Sequence, residues 1–466
     1  MEVSPLFIFH KNQHIFSCLL LLCTSNSNIN AAEKFFPMGE NGSEENQKTT
    51  LSVGTTLQKN IQVNNPLTLQ EVEKMALEND SLIKKFNAEH MALKEKKVSA
   101  SRLPDPKFKI GLINLPTDNL VVDQEAMTQQ VIGLQQMFPP YRSLNYKEEK
   151  TNFMGISKKH KVTNQKMEVL RNVRRSWLNV YLQYHTEVIL IKSGELFTQL
   201  IEMTKSQYRS GRGNQQNVIR AQLERSLLKD TEIQVSAMKE KALASLKKWV
   251  DTPHLNRPLS LSSFSVPDIY DRDILISSIN THPSLQASVA SANAAKSKID
   301  IAKAKYYPGW MMDFSFSKRE NTPMGENRAN LFSLMFIVDI PLFTSNRQDK
   351  QVIASTQEYK AAKYFSEETK KTLQSTLDSE YSTWSRLRER LQNHETVVLP
   401  QARQNSKAAL KAYRSQETGF DPLMRAKLME MQIKLQALKI FVDLIQSQIN
   451  LLYLTKGVRY GSHDPK

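Results

Sequence analysis

Cysteine is nearly absent from this 466-residue chain: only Cys18 and Cys23, both near the start. A disulfide scaffold, a cysteine zinc site and a cysteine nucleophile in the body are therefore excluded. Glycine is scarce too, 14 residues in all, which is about 3% against a usual share of roughly 7%. That argues against glycine-rich nucleotide loops and tight β-turn architectures, and for long helices. No Walker loop, Gly-x-Gly-x-x-Gly, His-Glu-x-x-His or Gly-x-Ser-x-Gly occurs, and the nine histidines show no ligand spacing. The chain reads as no enzyme, with no cofactor and no resident metal. An uninterrupted apolar run long enough to cross a bilayer as a helix, about 20 residues, is also missing.

What is present starts with an address. Residues 1–32 read as a secretory signal: Lys11, an apolar stretch from Ile15 to Cys23, and Ala31-Ala32 for cleavage. Cys23 leaves a lipidated alternative. Residues 33–66 are polar, with Gly39, Gly42, Ser43 and Pro66, and read as a flexible lead-in. The net charge is +16. Its densest runs, at Lys94–Lys97, Lys158–Lys161 and Arg386–Arg390, sit in helical context and read as solvated faces. Export argues against nucleic acid as the partner of this charge.

The body repeats itself at about 200 residues. Leu67 to Gly111 compares with Tyr270 to Ser315, pairing Leu82 with Leu285 and Val98 with Ile301. Met137-Phe138-Pro139 matches Asp339-Ile340-Pro341, and Tyr208-Arg209-Ser210 matches Tyr413-Arg414-Ser415. Three collinear blocks indicate duplication of a large unit. One unit spans 67–260 and the other 261–457, leaving 458–466 as a tail. Each runs helix, two strands, very long helix, turn, long helix.

The expected strands are 107–115, 131–138, 310–317 and 331–340. Three alternate clearly: Phe108, Ile110 and Leu112 against Lys107, Lys109 and Gly111; Trp310, Met312, Phe314 and Phe316 against Asp313, Ser315 and Ser317; Phe332, Leu334, Phe336 and Val338 against Asn330, Ser333 and Asp339; 131–138 alternates less cleanly, Ile132, Leu134 and Phe138 against Gln135. Such segments suit a transmembrane β-barrel, one face to lipid and one to water. The other reading is a hairpin packed on a globular core. Four strands cannot close a barrel alone, so a barrel requires several chains. Met311 and Met312 point to opposite faces and are no chelating pair.

Ser143 to Arg209 contains no proline and as a helix spans about 100 Å. Thr344 to Ser415 is similar, with a kink expected at Pro400. The shorter helices Gln215–Val250 and Gly419–Lys456 return. In the last one, two apolar seams run roughly 150° apart at about 100° per residue, one through Leu423, Ala437 and Leu451, the other through Leu428, Leu438 and Leu452. Two seams give a helix two neighbours, as in a wall of helices; the plainer reading is a core helix of a bundle. Met424, Met429 and Met431 fit core and seam positions better than a metal relay.

The duplicated layout resembles the TolC family of outer-membrane efflux proteins. So do Leu67-Thr68-Leu69 with Asn79-Asp80-Ser81-Leu82, Leu103-Pro104-Asp105-Pro106 before the first strand, and the Tyr208 and Tyr413 segments followed by Ala221 and Ala426. The stretch from Leu103 through Asn114-Leu115-Pro116, Ala126-Met127-Thr128, Gly133-Leu134-Gln135-Gln136 and Phe138-Pro139 is most similar to the heavy-metal, CusC/CzcC-like branch. The resemblance implies a mainly α fold with a small β part. It implies a homotrimer whose three chains, four strands each, close a twelve-stranded barrel in outer-membrane lipid and continue as a helical barrel into the periplasm. It implies passive conduction of substrate, heavy-metal cations in this branch, delivered by a periplasmic adaptor and an inner-membrane pump of the resistance-nodulation-division (RND) class. Two alternatives stay open: a duct of the same kind for drugs or secreted proteins, and an exported coiled-coil adaptor or scaffold.

On this resemblance the turns at Tyr208–Asn217 and Tyr413–Leu423 are the tips. Tyr208, Arg209, Ser210, Gly211, Tyr413, Arg414 and Ser415 would face the adaptor or form the gate, unless they are simple turn and cap residues. The first turn has Gly211 and Gly213 and the second only Gly419, so the second is expected to differ in shape. Lys107, Lys109, Asp313 and Asp339 are the lumen candidates, and Tyr141, Tyr306, Tyr307 and Trp310 suit an interfacial aromatic girdle or plain packing.

Overall fold

The computed structural model describes residues 66–455 except 251–253, 255–256, 262–263, 265 and 270. The signal segment, most of the lead-in and the tail lie outside the described residues. Apart from Phe264, the described residues form one compact unit. The chain is mainly helical with one four-stranded antiparallel sheet in the order β1-β2-β3-β4. In chain order the elements are α1 (Leu69–Asn79), α2 (Ser81–Ala100), β1 (Lys107–Ile113), β2 (Gln129–Phe138), α3 (Ser143–Arg209) and α4 (Gln215–Lys247). The second half repeats them as α5 (Arg272–Ile279), α6 (Pro283–Ala304), β3 (Trp310–Lys318), β4 (Leu331–Val338), α7 (Gln348–Asn393), α8 (Leu399–Arg414) and α9 (Phe420–Leu454).

The opening helix of each repeat, expected to be continuous, is broken at equivalent places. Asp80 has extended backbone and its carboxylate accepts from the Ile83 N–H at 2.8 Å, so it caps α2. In the second repeat Pro283 has no N–H to donate and takes the first turn of α6. His282 caps it, Nδ1 accepting from the Ser284 N–H at 3.2 Å. The same ring donates from Nε2 to the Tyr453 carbonyl on α9 at 3.2 Å. Burial pushes this imidazole down to about 4.

α3 runs the full 67 residues without a break. Its middle carries the core residues Val173, Trp177, Leu178 and Tyr181, all at most 2% exposed. Near its start it meets α6 through small residues, the Ser157 hydroxyl donating to the Ala287 carbonyl at 2.8 Å. The long helix of one repeat thus packs on the opening helix of the other. The kink expected at Pro400 takes the form of a π turn, His394–Val398, between α7 and α8. A wider turn accommodates the proline without ending the helix.

α9 combines both expectations. Its first half exposes polar positions such as Gln432 between the seams. From Ala437 onward it is buried on most sides, including Phe441 and Gln448, which belong to neither seam. Leu451 and Leu454 join Leu275, Ile279, Leu285, Leu373 and Leu377 in one core. Met424 is buried, whereas Met429 is exposed.

Candidate functional site

Two regions bear on function: the sheet, and the turns at the far ends of the long helices.

The strand register sorts every side chain by parity. Lys109 lies opposite Gly133, Gly133 opposite Ser315 and Ser315 opposite Ser333. Phe108, Leu134, Phe314 and Leu334 form the adjacent row. Directly opposed residues share a face. Even-numbered positions therefore make one largely apolar band across the strands, with Gln130, Gln136 and Lys318 towards its ends: Phe108 is 62% exposed, Ile110 78% and Phe332 70%. Aromatic contacts hold this band together, Phe138 stacking on Trp310 at 3.9 Å. Odd-numbered positions make the more enclosed face, where Asp313 is 7% exposed.

On that face Lys109 Nζ lies 2.5 Å from Asp313 Oδ1, and Gln135 Nε2 lies 3.4 Å from Asp313 Oδ2. The sheet allows this because residue 133 is glycine: a Cβ there would stand 2.6 Å from Lys109 Cε. Lys107 is exposed at the start of β1 on the same face. Asp339, expected inside a strand, falls just beyond β4, which ends at Val338 ahead of Pro341. Its backbone N–H still reaches the Gly309 carbonyl at 2.8 Å. β1 likewise stops at Ile113, short of 115, because Asn114 turns the chain with φ 56°. Tyr141 and Tyr307 meet edge to face at 5.9 Å beside Trp310, at the end of the sheet that joins the helices.

The two tips are geometrically equivalent, against the expectation that the second would differ. In the first, the Arg212 N–H bonds the Gln207 carbonyl at 2.9 Å and the Gly211 N–H the Tyr208 carbonyl at 3.0 Å. In the second, Glu417 bonds Ala412 at 2.9 Å and Gln416 bonds Tyr413 at 3.2 Å. Both are Schellman motifs, which need a left-handed residue just past the helix. Gly211 supplies it at φ 71° and Gln416 at φ 64°. The second tip keeps its shape by holding a glutamine in a conformation that favours glycine. Asn214 then caps α4, accepting from Gln216 N–H at 3.0 Å, and Gly419 takes the corresponding place before α9 without a side-chain cap.

Of the seven tip candidates, Arg209, Ser210, Gly211, Arg414 and Ser415 are exposed and Tyr208 is 49% exposed. Ser210 and Ser415 donate to carbonyls of their own helices. Tyr413 departs from its duplicate. Only 5% exposed, it packs edge to face on Phe420 and its hydroxyl donates to Gln207 Oε1 at 2.5 Å. Burial raises its hydroxyl above the usual phenol range. It ties α8 to α3 rather than facing outward. A second cross-tip link, Arg220 to Asp421 at 2.7 Å, joins α4 to α9. Gln207, Arg220 and Asp421 carry no sequence signal of their own. The duplication offset does map Gly211 onto Gln416.

Among the described residues no group of three or more His, Cys, Asp or Glu is placed to hold a metal. No described helix is long and apolar enough to cross a membrane.

Comparison with known proteins fits this geometry. Residues 275–421 match the family model for outer membrane efflux proteins. No curated sequence matches the chain. Solved structures align over most of its length. The CmeC outer membrane channel of Campylobacter jejuni is 12% identical with a TM-score of 0.69, over 88% of this chain and 93% of that one. The outer membrane protein VceC of Vibrio cholerae is 10% identical, TM-score 0.69, over 83% and 95%. CusC, a transmembrane channel, is 13% identical, TM-score 0.69, over 84% and 92%. Residues 275–421 thus carry the sequence pattern of the outer membrane efflux family, and most of the chain has the fold of these outer-membrane channels.

Proposed function

We propose that three copies of this chain form an outer-membrane channel that passively conducts substrate out of the periplasm as part of a tripartite efflux system. The observation that carries the proposal is the sheet. It has an apolar band on one face, polar groups on the other, and two free edges, β1 and β4. Unpaired edges in lipid are untenable, and a closed ring of strands removes them. Pairing β4 of one copy with β1 of the next completes a barrel, and three copies supply twelve strands. The apolar band then meets lipid, Lys107, Lys109 and Asp313 line the lumen with Asp339 at its inner rim, and the helices continue into the periplasm.

The tip residues Tyr208, Arg209, Ser210, Gly211, Arg414 and Ser415 are the adaptor-facing set on this reading, with Tyr413 as an internal brace of the gate. A periplasmic adaptor and an RND-type pump deliver the substrate. The resemblance of residues 103–139 to the heavy-metal branch supports heavy-metal cations as that substrate, ahead of drugs or secreted proteins.

Expression of the full chain in a Gram-negative host tests the channel. It should fractionate with the outer membrane, run as a trimer that resists SDS, and conduct K⁺ in planar bilayers. A soluble monomer would favour the adaptor or scaffold alternative. Deleting the gene and measuring sensitivity to copper, silver, zinc, cobalt and drugs tests the substrate. Unchanged metal tolerance beside a drug-sensitive phenotype would move the assignment to drugs.

A further inference from the structure

A groove of about 490 Å³ runs between α6 and α7, lined by Ile299 and Lys303 of the first and Thr356, Tyr359, Lys360 and Lys363 of the second. Tyr364, 64% exposed, also borders it. Ligand clefts span roughly 300–1,000 Å³. The lining holds three lysines and no acid. Of the three, only Lys363 has an ion-pair partner among the described residues, Glu367 at 3.7 Å. Tyr359 is half-buried beside them. The fold itself does not ask for these residues. Val169 and Val173 of α3 correspond to Leu373 and Leu377 of α7, all four buried, and at that spacing Tyr359 corresponds to Gly155 and Lys360 to Ile156. The pairing of Leu82 with Leu285 likewise sets Lys303 against Ala100, and only Lys363 meets a lysine, Lys159.

Handedness fixes the side on which the groove opens. The Asp339 N–H bonds the Gly309 carbonyl at 2.8 Å, so odd-numbered residues are the hydrogen-bonded pairs of β3 and β4. For L-residues this sets β4 to the right of β3, and α7 to the right of α6, seen from the odd face with the helices below. Ser355, buried, marks the seam of α7 with α6. At about 100° per residue, Thr356, Tyr359, Lys360 and Lys363 turn roughly 40–140° from it, away from the odd face. Gln351 and Glu358 turn the other way and meet Lys305 at 2.8 Å and Lys298 at 2.5 Å. With the odd face lining the lumen, the groove opens outward into the periplasm. Thr356 to Lys363 lie about 12–22 Å beyond the start of α7, whereas a lipid headgroup layer is only roughly 5–8 Å deep.

We propose that this groove binds the carboxylate-bearing glycan of the cell wall and anchors the channel to peptidoglycan. The inference rests on the channel reading, which defines the outer wall. Lysine ammonium groups are point charges on flexible stems, suited to carboxylates spaced along a polymer. The Tyr359 ring offers an apolar face to a sugar and its hydroxyl a hydrogen bond. Three copies present three grooves, so weak single contacts add through multivalency.

Co-sedimentation of the detergent-solubilised full chain with purified peptidoglycan sacculi tests this. The variant Lys303→Gln/Lys360→Gln/Lys363→Gln should bind sacculi roughly tenfold more weakly or worse, since exposed charge contacts are small singly and multiply across copies. Lys298→Gln, on the other side of the same seam, should bind as the parent does, and equal weakening there overturns the assignment to the outer wall. Sacculi whose carboxyl groups have been converted to amides should sediment little of the parent chain, and undiminished binding overturns carboxylate recognition. Vesicles containing phosphatidylglycerol serve as the lipid arm: a triple variant that loses vesicle binding but keeps sacculus binding overturns the anchor in favour of a lipid site. The triple variant should still run as an SDS-resistant trimer and conduct K⁺, which shows that its fold is intact. A parent chain that conducts K⁺ but does not sediment with sacculi refutes the anchor alone, and one that neither trimerises nor conducts refutes the channel.

Discussion

Exchanging the two left-handed tip residues would test whether the second tip is held in its shape against local preference. Gln416 at φ 64° and Gly211 at φ 71° occupy the same position of the same motif. A Cβ added at Gly211 would meet nothing within 4 Å, so the cost of a side chain there is a backbone cost only. The left-handed conformation costs a non-glycine residue about 1–2 kcal/mol. Glycine returns roughly 0.5–1 kcal/mol of that through the greater freedom of the unfolded chain. The difference leaves about 1 kcal/mol in favour of glycine. Gln416→Gly should therefore tighten its tip and Gly211→Gln loosen the other by that amount, about fivefold in a local opening equilibrium. Hydrogen exchange followed by mass spectrometry on peptides covering 405–420 and 200–215 reads this locally, without global unfolding. The amides of Glu417 and Gln416 should exchange about fivefold more slowly in the first variant, and those of Arg212 and residue 211 about fivefold faster in the second. The double variant should show both changes, and any departure from additivity measures the coupling carried by the Tyr413–Gln207 and Arg220–Asp421 links between the tips. Exchange that moves in the same direction at both tips, or at neither, would refute the claim that backbone handedness limits their opening.

Three further outcomes are expected. Tyr413→Phe removes the hydroxyl that reaches Gln207 at 2.5 Å, a contribution of about 1 kcal/mol; it should raise the open fraction in single-channel recordings, and an unchanged open fraction would leave this link without a gating role. Asp313→Asn deprives Lys109 of its ion-pair partner, so the reversal potential in a KCl gradient should shift towards anion preference, whereas no shift would place the pair away from the ion path. His282 is held neutral by burial, with the imidazole down at about 4 against an ordinary 6.5. Protonation then favours the unfolded chain, so stability is full above about 6.5 and is lost as pH falls towards 4. At about 1.4 kcal/mol per pH unit the loss is bounded at roughly 3 kcal/mol. His282→Asn retains a capping side chain and should flatten the thermal stability between pH 6.5 and 4; an unaltered slope would assign the acid sensitivity to other groups.

Much of the architecture was legible because it is written in local periods. Alternation at period two marks three strands clearly and 131–138 less cleanly, and it separates the face of Lys107, Lys109 and Asp313 from the apolar face. The absence of proline set the extent of α3, whose ends at Ser143 and Arg209 coincide with the expected ones. The duplication came from matching segments some 200 residues apart and gave the order of elements. The breaks at Asp80 and His282 do not show in the apolar spacing, which carries across them, although Pro283 is a visible signal. The second tip departs from the shape its missing glycine suggests, because Gln416 takes the left-handed place that Gly211 fills in the first.

The sequence by itself determined which face each strand residue takes and how long each rod runs, since both follow from repeat geometry within one segment. Only the tertiary structure decided which residues meet. Strand pairing across some 170 residues set Met137 against Met311, and helix packing turned Tyr413 inward onto Gln207 while Tyr208, its sequence duplicate, stayed outside. Periodicity gives a side chain its direction and says nothing of its partner, and partners come from register and packing between segments remote in the chain.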